Sequence, residues 1–332
     1  MPASQHEARV PVLLLTGFLG AGKTSLVNAL LRAPALAETA VAVNEFGAVP
    51  LDQHLIQGQQ GDVLVLANGC LCCNLAGDAE AGILRLFGHR GSLGLPAFRR
   101  LIVEPSGLAD PGVLAQAILR NPAMAHQMRL SGIVCVVDAL FGNRNLADHE
   151  EARRQVALAD RVVISKADMA GVGQVEATME AVRHANPMAD IVVRMDHSAP
   201  EALVPADFID PERPLSPPAS RPRLQAGAPA HPDIRTEALV LAAERPLSWP
   251  DLEAWLHRLR ISHGRALLRL KGLVAIAGEA APLLLQGVHH VLHTPTLLDV
   301  WPPGQTATHL VLILRGTDPQ PIQDSWNALR GA

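Results

Sequence analysis

A glycine-rich segment limits the folds open to this chain. Residues 17–24 read Gly-Phe-Leu-Gly-Ala-Gly-Lys-Thr and fit the pattern G-x-x-x-x-G-K-[ST]. The apolar run Val12–Leu15 precedes the segment, and leucines at 26, 30 and 31 follow it on one face of a helix. A strand, a glycine-rich turn and a helix in this order predict a phosphate-binding loop (P-loop). Glycines let backbone N–H groups curl around phosphates, and a helix N-terminus favours negative charge.

The side chains of this loop have distinct roles around a nucleotide. Lys23 is placed to reach the β- and γ-phosphate oxygens, and the Thr24 hydroxyl is placed to ligate Mg²⁺. A chance glycine-rich turn is the alternative, and the strand–loop–helix context argues against it. The nucleotide-binding residues that the motif predicts are Gly17, Gly20, Ala21, Gly22, Lys23, Thr24 and Ser25.

The first two hundred residues alternate short β-branched runs with amphipathic stretches, which is typical of βαβ units around a buried parallel sheet. The pattern therefore predicts an α/β fold, a P-loop NTPase domain with a mostly parallel sheet. The expected strands are Val10–Leu15, Ala40–Val43, Val63–Leu66, Leu101–Val103, Ile133–Val137, Val162–Ile164 and Ile191–Val193. The expected helices are Thr24–Leu31, Pro111–Leu119 and Gly173–His184.

A proline-rich stretch separates two halves of the chain. Seven of the 22 residues in Pro211–Pro232 are proline, which favours an extended linker, with a long surface loop as the alternative. After it, strands follow one another directly, so a small α+β domain with an antiparallel sheet is expected. We predict a P-loop domain at 1–205, a linker at 206–234 and a carboxyl-terminal domain at 235–332.

The expected strands of this second domain are Ala238–Ala242, Leu267–Ala277, Leu283–Leu292 and Leu310–Leu314. The expected helices are Trp249–Leu259, with Ser248 as N-cap, and Ile322–Leu329. On a single strand at 283–292, His289 and His293 would share one face and His290 would point away.

Composition excludes several classes of protein. Hydrophobic residues make up 48% and charged residues 18%, enough for a sizeable core. The net charge of −4, without a basic block, argues against nucleic-acid binding. No run of 18 apolar residues or signal peptide is found, so we expect no membrane association and a cytoplasmic location. Four cysteines, three of them crowded together, do not make a disulfide framework.

Two further segments complete a nucleotide site. Glu104 ends the apolar run Leu101–Val103, where a carboxylate can hold Mg²⁺. The alternative for Glu104 is a solvated acid at the end of a strand. Gly107 can present its N–H to the γ-phosphate. Ser-Lys-Ala-Asp at 165–168 favours guanine because it lies downstream of a P-loop; an ordinary loop at a strand exit is the alternative. Asp168 can accept from the guanine N1–H and amino group, and the Lys166 stem can lie over the base.

Three cysteines lie within Gly69–Asn74, at Cys70, Cys72 and Cys73. Their thiolates suit Zn²⁺ or Co²⁺, with water, a histidine or a carboxylate such as Glu45 as a further ligand. Cys72 and Cys73 are adjacent, so two of the three thiols can bind more readily than all three. Small buried hydrophobes and a redox switch are the alternatives for the cluster, and burial is the preferred interpretation for the lone Cys135.

Taken in order, these motifs resemble the CobW-like family of GTP-binding metallochaperones. The resemblance covers essentially the full chain. It includes Asn44-Glu-Phe-Gly47 and Glu104-Pro-Ser-Gly107-Leu-Ala-Asp-Pro111, and in the second half 268–272 and the stretch Val288–His293 before Trp301.

The resemblance implies a slow, metal-stimulated GTPase that delivers Zn²⁺ or Co²⁺ to a client metalloprotein. It assigns Lys23, Thr24 and Glu104 to nucleotide and Mg²⁺, Asp168 to guanine, and the three clustered cysteines to the delivered ion. Asn44–Gly47 would be the first switch region, with Glu45 closing the metal site.

Two departures from the family pattern stand out: Ser165 replaces a common asparagine, and a histidine-rich tract is missing. A regulatory GTPase with redox-sensing cysteines is the main alternative function, and an ATP-dependent small-molecule kinase is a weaker one. The sequence leaves the oligomeric state open, a homodimer included.

Overall fold

A computed structural model describes residues 9–43, 63–65, 83–84, 87, 98–195, 198–209, 236–302 and 305–331. Two compact units divide the chain. The amino-terminal unit contains the described residues up to Val182 and from Ala189 to 209, and the carboxyl-terminal unit contains Arg183–Met188 and the described residues from 236 onward. The domain boundaries predicted from sequence stay a prediction.

The amino-terminal unit is built on a seven-stranded sheet. Its strands are β1 (Val10–Thr16), β2 (Thr39–Val43), β3 (Val63–Val65), β4 (Arg100–Glu104), β5 (Met128–Asp138), β6 (Arg161–Ser165) and β7 (Asp190–Val193). They lie in the order β3-β2-β4-β1-β5-β6-β7, and every neighbouring pair is parallel. The predicted parallel sheet is confirmed. Because β1 lies between β4 and β5, the loop after β1 starts beside the carboxyl ends of both neighbours.

The helices of this unit are α1 (Lys23–Arg32), α2 (Pro111–Arg120), α3 (Pro122–Gln127), α4 (Gly142–Asp148), α5 (Glu150–Leu158), α6 (Val172–Ala185) and α7 (Ala206–Ile209). Short 3₁₀ turns occupy Pro34–Leu36 and Pro200–Leu203. Helix α1 buries Leu26, Val27 and Leu30 in a core shared with β1 and β5, and Leu31 is partly buried. Helices α4 and α5 were not expected, because they are only seven and nine residues long and contain few large apolar side chains.

The carboxyl-terminal unit is an antiparallel sheet with two helices, as predicted. Its strands are β8 (Thr236–Ala243), β9 (Leu267–Val274), β10 (Leu283–Val288), β11 (Val291–Leu292), β12 (Thr296–Leu297) and β13 (Thr308–Arg315). Helices α8 (Trp249–His263) and α9 (Gln320–Gly331) meet through Trp255 and Trp326, whose buried rings lie edge to face at 5.0 Å. The Trp255 indole donates to Ser325 Oγ at 2.9 Å, so the ring is buried without losing its hydrogen bond.

Two sequence expectations in this unit were wrong. The single strand predicted at Leu283–Leu292 is a hairpin of β10 and β11, turning at His289 and His290. His289 has a φ of 52°, a left-handed conformation that an apolar pattern cannot reveal. The shared face assigned to His289 and His293 therefore does not exist.

The other error concerns the end of the strand predicted at Leu267–Ala277. Strand β9 stops at Val274 because the N–H of the next residue, Ala275, donates to the Thr308 hydroxyl at 3.0 Å. Ser248 is the N-cap residue of α8, as predicted, although its side chain makes no capping hydrogen bond.

Candidate functional site

The backbone of the P-loop takes the conformation that its glycines predict. Gly17, Gly20 and Gly22 have φ values of 146°, 72° and 92°. A Cβ at Gly17 would lie 2.4 Å from the carbonyl oxygen of Val136, so no other residue fits there. Gly22 is the N-cap of α1, and no side chain caps that helix. The first N–H groups of α1 are thus left for a ligand such as phosphate.

Lys23 and Thr24 lie where the motif predicts. Lys23 Nζ donates to the carbonyl oxygens of Gly17 at 3.0 Å and Phe18 at 3.4 Å, so its ammonium group bends back over the loop. The Thr24 hydroxyl donates to Glu104 Oε1 at 3.3 Å, across 80 residues of chain. Glu104 is buried at the end of β4. A hydroxyl and a carboxylate side by side are oxygen ligands that suit Mg²⁺, so these residues fit the predicted ion.

Gly107 lies directly against the P-loop. A Cβ added at Gly107 would lie 3.0 Å from the backbone nitrogen of Leu19 and 2.8 Å from its Cδ2. The structure therefore brings together Gly107 and the loop, as the sequence predicted. Gln155 on α5, which the sequence did not indicate, donates to the Gly107 carbonyl at 3.0 Å.

The Ser-Lys-Ala-Asp segment follows β6 at the same edge of the sheet. The Ser165 hydroxyl donates to the carbonyl oxygen of Ala21 in the P-loop at 2.6 Å. Lys166 has a φ of 55°, and its Nζ lies 2.5 Å from Asp138 Oδ2. Asp168 is exposed, so its carboxylate is accessible to a nucleotide base.

Asp138 is a second residue that sequence reasoning missed. It is buried at the end of β5, and its Oδ1 accepts from the N–H groups of Leu140 at 2.6 Å and Phe141 at 3.2 Å. A signal was present, because Asp138 ends an apolar run in the same way as Glu104.

A small pocket lies beside the P-loop and is lined by Phe18, Cys135, Asn145 and Gln155, among others. The Phe18 ring stacks on His149 at 4.5 Å between ring centres. Burial raises the pKa of the Cys135 thiol to about 12, against a smaller lowering effect of the Lys23 charge. Cys135 is therefore a neutral buried thiol, in keeping with the interpretation of its sequence.

The predicted metal-cargo residues Glu45, Cys70, Cys72 and Cys73 lie outside the described residues, as does the predicted switch at 44–47. Within the described ranges, no group of three or more histidine, cysteine, aspartate or glutamate residues could hold a metal ion. The same part of the chain contains no helix long and apolar enough to cross a membrane.

Comparison with known protein families identifies two matches in this chain. Residues 11–193 match the family described as CobW/HypB/UreG, nucleotide-binding domain, and residues 236–330 match the cobalamin synthesis protein cobW C-terminal domain. The chain belongs to the CobW family. The predicted family, the P-loop NTPase fold and the antiparallel carboxyl-terminal domain are thereby confirmed.

Individual CobW-family relatives match over most of the chain. The zinc chaperone YjiA of Escherichia coli is 31% identical over 286 residues, which span 85% of this chain and 87% of YjiA. The zinc chaperone CobW of Pseudomonas aeruginosa is 29% identical over 85% of this chain and 81% of its own length. The crystal structure of Zn(II)-bound YjiA GTPase from E. coli superposes with a TM-score of 0.72 at 25% identity, covering 97% and 99% of the two chains. The prediction that the chain is a GTPase is confirmed by its family and by the solved YjiA GTPase.

Proposed function

We propose that this CobW-family protein is a GTPase that carries a divalent metal ion, Zn²⁺ or Co²⁺, and passes it to a client metalloprotein. One observation carries the proposal most directly: Thr24 Oγ1 lies 3.3 Å from Glu104 Oε1 beside the ammonium group of Lys23. This arrangement occurs in a chain whose relatives, matched over 85% of its length, are named zinc chaperones.

The first part of the proposal, phosphate binding, uses the described P-loop. The N–H groups from Gly17 to Ser25 surround the phosphates, and Lys23 leaves its two carbonyl partners to reach the β- and γ-oxygens. Thr24 and Glu104 would hold Mg²⁺, which supplies charge neutralisation for phosphoryl transfer. Gly107 presents its N–H to the γ-phosphate, because it already packs on Leu19.

The second part of the proposal, recognition of the guanine base, depends on the loop after β6. Asp168 accepts from the guanine N1–H and amino group, and the Lys166 stem lies over the base. Asp138 orients the lysine through their 2.5 Å ion pair, and Ser165 ties this loop to Ala21. Guanine preference therefore rests on Asp168, with Ser165 contributing structure at the position where asparagine is common.

The third part of the proposal, metal binding, assigns the cargo ion to Cys70, Cys72 and Cys73, with Glu45 as a further ligand. Strand order supports coupling to the nucleotide. Strand β2 ends at Val43, whose Cα pairs with Glu104 and with Val65 at the end of β3. Strands β2 and β3 therefore end at the same edge of the sheet as Glu104, a predicted Mg²⁺ residue. In sequence, residues 44–47 follow β2 and the cysteine segment follows β3. A change at the γ-phosphate can reach the thiolates by this route.

The deciding experiment measures Zn²⁺ and Co²⁺ affinity of the full chain by competition with a calibrated chelator. We expect much tighter binding with Mg²⁺–GTP than with Mg²⁺–GDP. Cys72→Ser should weaken metal binding while nucleotide affinity stays unchanged, and Cys135→Ser serves as the matched cysteine control. Equal metal affinity in both nucleotide states contradicts gating by GTP. Thiol oxidation that alters GTP turnover, without tight metal binding, would instead support a redox-sensing GTPase.

The client, a homodimer, the cytoplasmic location and the boundaries at 1–205, 206–234 and 235–332 remain predictions beside this proposal. The absence of a nucleic-acid or membrane partner is likewise predicted from charge and composition alone.

A further inference from the structure

Gln155 is a buried polar residue next to the P-loop that the reaction as described does not use. Its side chain is 0% exposed on α5. The single amide nitrogen Nε2 donates to two carbonyl oxygens, those of Gly107 at 3.0 Å and Ala109 at 3.1 Å. Because both partners are carbonyls, they determine which end of the amide faces the loop. The opposite atom, Oε1, has no hydrogen-bond partner among the described residues.

The same helix holds the far end of this loop by a separate contact. Arg154 donates to Asp110 Oδ2 at 3.0 Å and pairs with Glu150 at 2.5 Å. Asp110 is the N-cap of α2 and accepts from the Gly112 N–H at 2.8 Å. Helix α5 thus fixes residues 107–110 through two neighbouring side chains, of which Gln155 acts on the end that faces the P-loop.

The packing at Gly107 makes its position sensitive to Gln155. A Cβ at that position would lie 3.0 Å from the Leu19 nitrogen and 3.1 Å from its Cα, so the two backbone segments are in close contact. A hydrogen bond to phosphate weakens steeply when its donor is misaligned, so the N–H of Gly107 depends on the orientation of its peptide group. The two bonds from Gln155 fix the carbonyl of Gly107, and with it the orientation of the peptide groups on either side.

We propose that Gln155 is a positioning residue for the terminal phosphate and sets the preference of the site for a nucleoside triphosphate over a diphosphate. The inference rests on the proposed nucleotide function and deepens it. A diphosphate has no group opposite Gly107, so its binding does not depend on where this glycine lies. The triphosphate does depend on it.

The test compares Gln155→Leu with the unchanged full chain. A fluorescent GDP is bound in the presence of Mg²⁺ and displaced either by GDP or by a non-hydrolysable GTP analogue. We expect the affinity for the triphosphate analogue to fall about tenfold, and the affinity for GDP to stay within about twofold. Arg154→Met is the matched control on the same helix. It loosens only the Asp110 end of the loop, and both affinities should stay within about twofold.

A second variant keeps the test decisive if the leucine variant does not fold. In Gln155→Glu, the protonated carboxyl can still donate one hydrogen bond, whereas the carboxylate cannot, and burial raises the pKa of such a group. The triphosphate preference of this variant should therefore fall from about pH 6 to about pH 8, while that of the unchanged protein stays constant.

Three results would overturn the inference. They are an equal loss of both affinities, no loss of either, and the same selective loss in Arg154→Met. Failure of the unchanged protein to bind any guanine nucleotide would instead refute the proposed function itself, so the two failures are distinguishable.

Discussion

The hydroxyl of Ser165 donates a 2.6 Å hydrogen bond to the carbonyl oxygen of Ala21, so the last residue of β6 is tied to the P-loop. Both residues are buried. The bond connects the base end of the proposed site to its phosphate end across 144 residues of chain. This contact gives a structural role to a serine whose effect on guanine binding the sequence left open.

Ser165→Ala should weaken binding of both GTP and GDP by about tenfold. The substitution leaves the buried Ala21 carbonyl without this donor, which costs about 1–3 kcal/mol, and the P-loop is part of the binding site for either nucleotide. Titration of a fluorescent guanine nucleotide measures the effect. Thr16→Val is the matched control, because the Thr16 hydroxyl is also buried beside the loop but has no hydrogen-bond partner among the described residues. An equal loss in the two variants would contradict a specific role for the Ser165 bond.

Asp138→Asn should lower both the thermal stability and the guanine-nucleotide affinity. Asparagine keeps an acceptor for the N–H groups of Leu140 and Phe141 but loses the charge that holds Lys166, and hydrogen bonds to charged groups contribute about 1.5–3 kcal/mol. Differential scanning calorimetry and nucleotide titration measure the two effects. The control is Asp148→Asn, which removes a pair with Arg144 whose side chains are 81% and 48% exposed, so little change is expected. Unchanged nucleotide affinity in Asp138→Asn would show that the ion pair does not orient Lys166 for the base.

Glu104→Gln should reduce GTP hydrolysis by at least about tenfold and shift its Mg²⁺ dependence to higher concentration. The amide keeps an oxygen beside Thr24 but removes the negative charge that attracts the ion. The rate of phosphate release at a series of Mg²⁺ concentrations measures the change, and Glu151→Gln on the exposed surface of α5 is the control. An unaltered Mg²⁺ dependence would mean that Glu104 is a buried acid without a role at the metal.

The buried thiol of Cys135 predicts a specific loss of stability in alkaline solution. Its pKa is raised from 9.0 to about 12 by burial, so the unfolded chain loses this proton first as the pH rises. The free energy of unfolding should therefore fall between about pH 9 and about pH 12, by up to about 1.4 kcal/mol per pH unit from this group. The chain contains no tyrosine to titrate in the same range. Denaturant unfolding of the unchanged chain and of Cys135→Ala should show a shallower pH slope in the variant; identical slopes would refute the prediction.

The parts of the site that lie close together in sequence were predictable. The loop from Gly17 to Thr24 contains its glycines, its lysine and its hydroxyl within eight residues. Each of these groups has a defined role in binding phosphate or Mg²⁺. Glu104 was predictable for a related reason, since an acid that ends an apolar strand of a parallel sheet must lie at the edge where the P-loop lies.

The hairpin at 289–290 and helix α5 were not predictable in the same way. A left-handed φ at His289 has no signature in a run of apolar residues, which reads as one strand. The nine-residue helix α5 contains only two large apolar residues, Val156 and Leu158, so its sequence signal is weak. The function inferred for Gln155 depends on a loop 46–48 residues earlier in the chain.

The amino-acid sequence by itself determined the class of the fold, the family and the phosphate loop, because strand periodicity and glycine conformation are local properties of the chain. Only the tertiary structure decided which distant groups meet: Thr24 with Glu104, Ser165 with Ala21, and Gln155 with Gly107. These pairs depend on the order of strands in the sheet and on how far each helix reaches over it. Strand order is set by the packing of the whole domain, so no short stretch of sequence encodes it.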